Sequence, residues 1–423
     1  MAKAWFIVSP RPIHSMVKRQ ALTESTYNIA VVGAGAVGLS AALAFARDGF
    51  RTVLVGGLDA RRDGRTVALL NGSVRFLEAL GAWPRIAAEA AALETMRIVD
   101  DTGSLFRPPP ASFRAGEIGL DAFGWNVENA TLVEKLAEAP RACENLTHVS
   151  EFASGFEADE TGAILTLTGG GTIKASLIVA ADGRNSKLRQ IAGIGTQNWS
   201  YPQSAVTVIL AHDRDHRETS TEFHTRHGPF TLVPLPGRRS SLVWVTSKVD
   251  AERLSELDDA ALALAIERQA QSHLGAMRID GPRGLVPMTG LSVNRYRAQR
   301  LALVGEAAHV FPPIGAQGLN LGFRDAASLR DAVVDGQSEG SDPGSEETLV
   351  RYQRSRDLDV RLRTAAVDGL NRTLLTGMIP TDFLRGAGLL ALSNIGPLRR
   401  IVMREGVLPQ IGAPRLMQGA SPA

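Results

Sequence analysis

Short apolar runs, each closed by small residues or glycine, punctuate the first half of the chain. Asn28-Ile-Ala-Val-Val-Gly33, Arg51-Thr-Val-Leu-Val55 and Ser176-Leu-Ile-Val-Ala-Ala181 are the clearest. Continuous runs of this length predict strands buried on both faces. Residues 38–48 are small and apolar and predict a helix between the first two strands, so the unit is a right-handed crossover. Residues 67–80 carry a helical pattern stopped by Gly81, and 129–138 carry another stopped by Pro140. Residues 165–173 alternate apolar with polar and turn at glycines, a hairpin pattern. Residues 204–212, 222–227, 230–235 and 241–247 then read as successive strands of a second, mainly antiparallel sheet. Residues 254–274 predict a helix, the chain returns to its first domain at Leu301, and 346–372 predict a long charged helix. The Pro/Gly-rich stretch 100–121 and the polar stretch 338–345 read as loops.

This pattern predicts an α/β fold. A Rossmann-like domain is built from 27–100, 125–200 and 295–370, and a β-sheet domain from 101–124 and 201–294 is interleaved with it. Residues 1–26 form a flexible basic extension, and 371–423 a helical terminal segment. A length of 423 residues suits two packed domains. A formal net charge of +2 gives no nucleic-acid footprint. Cys143 is the only cysteine, which excludes an intrachain disulfide and a multi-cysteine metal site. A lone cysteine of this kind reads as a small apolar residue. No metal site is expected. The longest apolar runs fall short of a transmembrane span.

Gly33-Ala-Gly35-Ala36-Val37-Gly38 follows a predicted strand and opens a predicted helix, the context that a dinucleotide fingerprint requires. Gly33 permits the tight turn, Gly35 lets the backbone approach a pyrophosphate, and Gly38 lets helix and strand pack closely. The helix N-terminus offers free N–H groups and partial positive charge. An acid normally ends the second strand to bind ribose hydroxyls; here Gly56-Gly57 stands there and Asp59 is the nearest carboxylate. A second segment, Asp182-Gly183, ends a buried strand. A third runs from Gly305-Glu306 through His309, Pro312-Pro313, Gly315 and Gln317-Gly318-Leu319-Asn320 into a helix. Glu306 can accept sugar hydroxyls, the prolines can wall a flat ring, and the loop amides can meet its polar edge. His309 reads better as a structural histidine than as an acid or base. Three distant segments of this kind imply one extended ligand with a pyrophosphate end and a ring end, such as FAD.

With these segments in hand, the chain resembles class A FAD-dependent aromatic hydroxylases of p-hydroxybenzoate-hydroxylase-like fold. More narrowly, it resembles the ubiquinone-biosynthesis hydroxylases, over residues 28–366. Arg65-Thr-Val-Ala-Leu-Leu70, Trp125-Asn-Val-Glu-Asn129, His227-Gly-Pro-Phe-Thr-Leu-Val-Pro-Leu235 and Gly315-Ala-Gln-Gly-Leu-Asn-Leu-Gly-Phe-Arg-Asp325 carry the likeness. It departs at Glu306, where the family has Asp, and at Gly56, where it has an acid. The resemblance implies FAD, with NAD(P)H as a transient co-substrate and O2 as oxidant, and hydroxylation of an electron-rich ring, here a polyprenylated ubiquinone precursor. A small soluble phenol, or a non-catalytic FAD-binding role within a quinone-biosynthesis complex, are the alternatives.

The resemblance also implies Arg65 and Asn129 as cofactor contacts. The loop Pro312, Pro313, Gly315 and Gln317 would position the ring, and no catalytic side chain is assigned. Phe223, Phe230, Leu232 and Trp244 are the candidate substrate lining. A cytoplasmic protein is expected. The basic, apolar stretch 383–404 is a candidate for peripheral contact with the inner face of a membrane, and other quinone-biosynthesis enzymes are candidate partners.

Overall fold

The computed structural model describes residues 26–60, 62–103, 109–139, 143–312, 317–357, 359, 396, 399–400, 403 and 412–418. Five parallel strands form the body of its first, eight-stranded sheet, in the order Leu301–Leu303, Thr172–Ala180, Thr26–Val32, Thr52–Val55 and Leu146–Val149, with Arg297–Ala298 antiparallel at the first edge. The three strands read as continuous apolar runs sit together at its centre. Ile29, Ala30, Val31, Val53, Leu54, Val55, Leu177, Ile178 and Val179 are wholly buried. The antiparallel strands Ala153–Ala158 and Ala163–Leu167 extend the early half of Thr172–Ala180, which is the hairpin expected from its glycines.

The second sheet has eight strands, and its single parallel step joins Thr219–Thr225 to Thr95–Asp100. Its longest strands are a pair of 17 residues each, Thr196–His212 and Met277–Val293, near one edge. Helices Lys248–Glu256 and Asp259–Gln269 cover one face. Each starts at a side-chain cap: Ser247 accepts from the Asp250 amide and Asp258 from the Ala261 amide. Leu254, Leu262 and Ile266 pack there against Val206, Phe223, Phe230 and Leu232.

A small third sheet, Thr66–Leu70, Gly124–Glu128 and Ala91–Ala92, bridges the other two. Buried Asn126 donates to Pro234 O at 2.8 Å, and Thr66 Oγ1 to Ser241 Oγ at 2.8 Å. These bonds fix the spacing between the domains.

Four expectations change. Residues 66–70 are a strand, and only Asn71–Ala79 is helical, because pairing with Gly124–Glu128 outweighs local helix propensity. Thr95–Asp100 and the early residues of Thr196–His212 belong to the second sheet rather than the first domain. Ala111–Arg114 is a strand in the stretch read as loop. The helix expected over 254–274 is two helices, broken where Leu257 turns extended before the Asp258 cap.

Residues 1–25 lie outside the described residues, as does most of 371–423. Within 383–404, Arg399 pairs with Glu117 at 2.6 Å and lies over the Phe113 ring, and Met403 is buried beside Phe113 and Phe123. That part of the basic, apolar stretch packs on the second sheet. Cys143 is half-buried against the main core.

Candidate functional site: a cavity between the fingerprint and the second sheet

The three fingerprint glycines have separable causes. Gly33 has φ +110°, and an added Cβ there would collide with the Ala181 carbonyl. A Cβ on Gly38 would collide with the Gly33 carbonyl. Both are packing constraints, set by the crossing of Thr26–Val32, Thr172–Ala180 and the fingerprint helix Ala36–Arg47. Gly35 differs: a Cβ there would meet nothing within 4 Å, because the position faces open space. Gly35 caps that helix without a side chain, and the first turn carries no acid. Its amides are therefore free to meet an anion.

That space is a cavity of about 510 Å³. Gly35, Ala36, Val37 and Gly38 line one end, and Gly305, Glu306, Phe311, Pro312, Gln317, Gly318 and Leu319 line another. The long helix Gln317–Ser338 starts at the cavity and has no acid in its first turn. Two helix N-termini thus aim partial positive charge at one space. Cβ atoms built on Gly183 and Gly318 also meet nothing within 4 Å. Donor amides, open glycines and one space joining the two helix ends fit a dinucleotide with a flat, polar-edged ring.

Arg65 and Asn129 line the cavity, and Arg65 is held by Asp63 at 2.7 Å. Glu306 is exposed toward it. Pro313 and Gly315 lie outside the described residues.

Asp182 aims Oδ2 at the amides of Lys187 (2.9 Å) and Leu188 (3.2 Å), which holds the turn that follows it, while its buried Oδ1 meets no partner among the described residues; its neighbours Ala181 and Gly183 line the cavity. One expected contact is turned elsewhere. The Asn320 side chain accepts from Leu70 N at 2.9 Å and Ser73 Oγ at 2.6 Å and donates to Ala68 O at 2.8 Å. It clamps the long helix to the bridging sheet.

The expected substrate lining is corrected. Phe223, Phe230, Leu232 and Trp244 lie on the helix-covered face of the second sheet, in its core. Strand side chains alternate, so the cavity face carries their neighbours: Ser220, Glu222, Thr231, Val233 and Val243, with Met96, Leu93 and Phe123 beside them. Sequence reasoning missed these because polar Ser220, Glu222 and Thr231 look like a solvent face.

His309 is structural. It is buried, and its Nε2 donates to Asp325 Oδ2 at 2.6 Å. The same oxygen accepts the Gly305 amide at 2.9 Å, and Oδ1 accepts from Arg356 Nε at 2.8 Å. Burial opposes ionisation of Asp325. The charges of His309 and Arg356, with the two hydrogen bonds to Oδ2, outweigh it and hold the carboxyl below its usual range.

Gly56 has a structural reason. Its φ is +150°, and an added Cβ would stand 2.9 Å from Ala34 N. Its carbonyl accepts from His148 Nε2 at 2.8 Å. Restoring the missing acid as Gly56→Asp is therefore expected to destabilise the protein by about 1–3 kcal/mol through backbone strain. A melting temperature equal to wild type, with tighter flavin binding, would contradict this.

A family model described as an FAD binding domain matches residues 26–359. Ubiquinone hydroxylase UbiL of Rhodospirillum rubrum is 35% identical over 93% of this chain and 92% of its own length. The 3-demethoxyubiquinol 3-hydroxylase of Escherichia coli is 31% identical over 90% of this chain and 99% of its own. Among solved structures, p-nitrophenol 4-monooxygenase PnpA of Pseudomonas putida superposes with a TM-score of 0.75 at 18% identity, covering 90% of this chain and 98% of that one, which supports the fold. Helix ends, open glycines and the shared cavity agree with that kinship, and the chain belongs to the FAD-binding-domain family, among the flavin-dependent monooxygenases of the ubiquinone-biosynthesis hydroxylase group.

Proposed function

We propose that this protein hydroxylates the ring of a polyprenylated ubiquinone precursor, with O2 and NAD(P)H as co-substrates. One observation carries the reading: a single cavity joins the fingerprint amides to the inner face of the second sheet. Bound there, FAD would supply reducing equivalents and activation of O2.

The protein's share is positioning and exclusion of water. The amides of 35–38 would hold the pyrophosphate, and Arg65, Asn129 and Glu306 lie near enough to the cavity to meet its polar groups. Phe311 and Pro312 would wall the ring, and the amides of 317–319 would meet its polar edge, where the helix end favours negative charge. Leu93, Met96, Phe123, Val233 and Val243 give the substrate end an apolar surface. Arg65, the one Arg or Lys among the described residues lining the cavity, is paired with Asp63. This favours a neutral ring over a small acidic phenol, which would need an unpaired cationic partner.

Among the described residues no helix is long and apolar enough to cross a membrane. A polyprenyl tail would then reach the protein by peripheral contact with the bilayer or by transfer from a partner enzyme. The flavin-loaded protein is expected to oxidise NAD(P)H faster when 2-prenylphenol is added and to place one oxygen atom from O2 in the product. Deleting its gene in the native host should cause an under-hydroxylated quinone precursor to accumulate. Unchanged quinone levels, with no stimulated oxidation, would refute the reading and favour the non-catalytic alternative.

A further inference from the structure

The cavity face of the second sheet carries a carboxylate. Glu222 and His224 stand two residues apart on the strand Thr219–Thr225, so their side chains share a face. Glu222 Oε1 lies 2.7 Å from His224 Nε2, and Thr231 Oγ1 donates to Oε2 at 3.2 Å. A carboxylate only accepts, so Nε2 is the donor. The His224 side chain is 10% exposed and stands behind; the Glu222 side chain is 32% exposed and lines the cavity.

Burial opposes ionisation of Glu222, but the hydrogen bond and charge of His224, with the Thr231 hydroxyl, hold its carboxyl below the usual range. The other charged residues lining the space are Arg65, which pairs with Asp63, and Glu306. Asp100 lies across from His224 on the adjacent strand and accepts from the Thr102 amide and hydroxyl.

We propose that Glu222, oriented by His224 and Thr231, is the catalytic residue that accepts the hydroxyl hydrogen of the substrate ring. This rests on the hydroxylase reading above. The proton moves from the ring oxygen to the carboxylate in step with attack on the ring, and the O–H bond pair stays on that oxygen and spreads to the ortho and para carbons. The electron pair at one of those carbons forms the new C–O bond, and the oxygen donor keeps the pair of its broken O–O bond. The attacked carbon then loses its own proton to that reduced donor, and Glu222 returns one to the ring oxygen. The acid is then a carboxylate again, and the ring has gained one hydroxyl. His224 is a positioning residue in this scheme. The same arrangement selects rings that present a donor and disfavours rings that present an anion.

The test uses the full-length, flavin-loaded protein and two probes, 2-prenylphenol and its methyl ether, titrated by the change in flavin absorbance. Wild type is expected to bind the phenol at least about tenfold more tightly, because the ether leaves a charged acceptor unmet. Glu222→Gln should collapse that ratio and divert NAD(P)H oxidation from ring product to hydrogen peroxide. A Glu222→Gln protein that keeps both the ratio and the coupling overturns the assignment alone. A flavin-loaded wild type that responds to neither probe overturns the hydroxylase reading and this assignment with it. If Glu222→Gln retains no flavin, Thr231→Val, which leaves the carboxylate in place, must narrow the ratio; an unchanged ratio there refutes the proposal.

Discussion

Gly35→Val is expected to yield a folded protein that no longer holds flavin. The two halves of that statement come from different facts. A Cβ at Gly35 meets no protein atom within 4 Å, so the substitution introduces no internal clash. The backbone there is extended, with φ −76° and ψ 179°, which valine adopts readily. The cost to the apoprotein is the poorer helix cap, about 1 kcal/mol. The same open space is where a pyrophosphate approaches the helix amides, and an isopropyl group would fill it. Lost amide contacts and lost access together should weaken FAD binding at least about a hundredfold, near 2.8 kcal/mol. Visible flavin absorbance per protein, measured beside circular dichroism, separates the two effects. Gly33→Val or Gly38→Val should instead fail to fold, since their Cβ atoms meet backbone carbonyls. A yellow, fully loaded Gly35→Val protein would contradict the placement of the pyrophosphate.

That contrast also marks what was legible in the sequence. The fingerprint could be read because a tight turn, a close helix crossing and an anion's approach each demand glycine locally. Three central strands could be read because burial on both faces removes polar residues from them. The substrate face could not. Alternation in 219–225 and 228–235 separates two faces but does not say what covers each. Phe223, Phe230 and Leu232 turned out to meet helices, and Ser220, Glu222 and Thr231 the cavity. A polar face on a strand usually means water; here it means a site. The strand Met277–Val293 went unread because Gly281, Pro282, Gly284, Pro287 and Gly290 interrupt its pattern. Its pairing with Thr196–His212 supplies stability that its own composition conceals. The Asn320 clamp was hidden for a related reason: its partners stand about 250 positions away.

Asp325→Asn is expected to lower stability by about 3–5 kcal/mol at neutral pH, the cost of removing one charge from a buried pair. Asp325 and Arg356 are both wholly buried, and Asp325 gathers Gly305, His309 and Arg356 around one carboxylate. Asn keeps the shape and can still accept the Gly305 amide. It leaves the Arg356 guanidinium less compensated, with Asp359 at 2.7 Å as its remaining acidic partner. For a chain of 423 residues, that loss corresponds to a melting point lower by about 3–6 °C. The flavin site should loosen with it, since Asp325 ties down Gly305 and His309, which flank Glu306. The pH dependence has a definite sign. The carboxyl of Asp325 is held below its usual range in the folded protein, so its contribution is fully present above the unfolded value of about 4. It is lost as the pH falls through the lower, folded value, where wild type carries the same neutral group that Asn mimics. The gap between wild type and variant should begin to narrow below about pH 4 and close as the pH falls through the folded value. Equal melting temperatures at neutral pH, or a gap that persists in acid, would show that the buried charge does not anchor this end of the cofactor cavity.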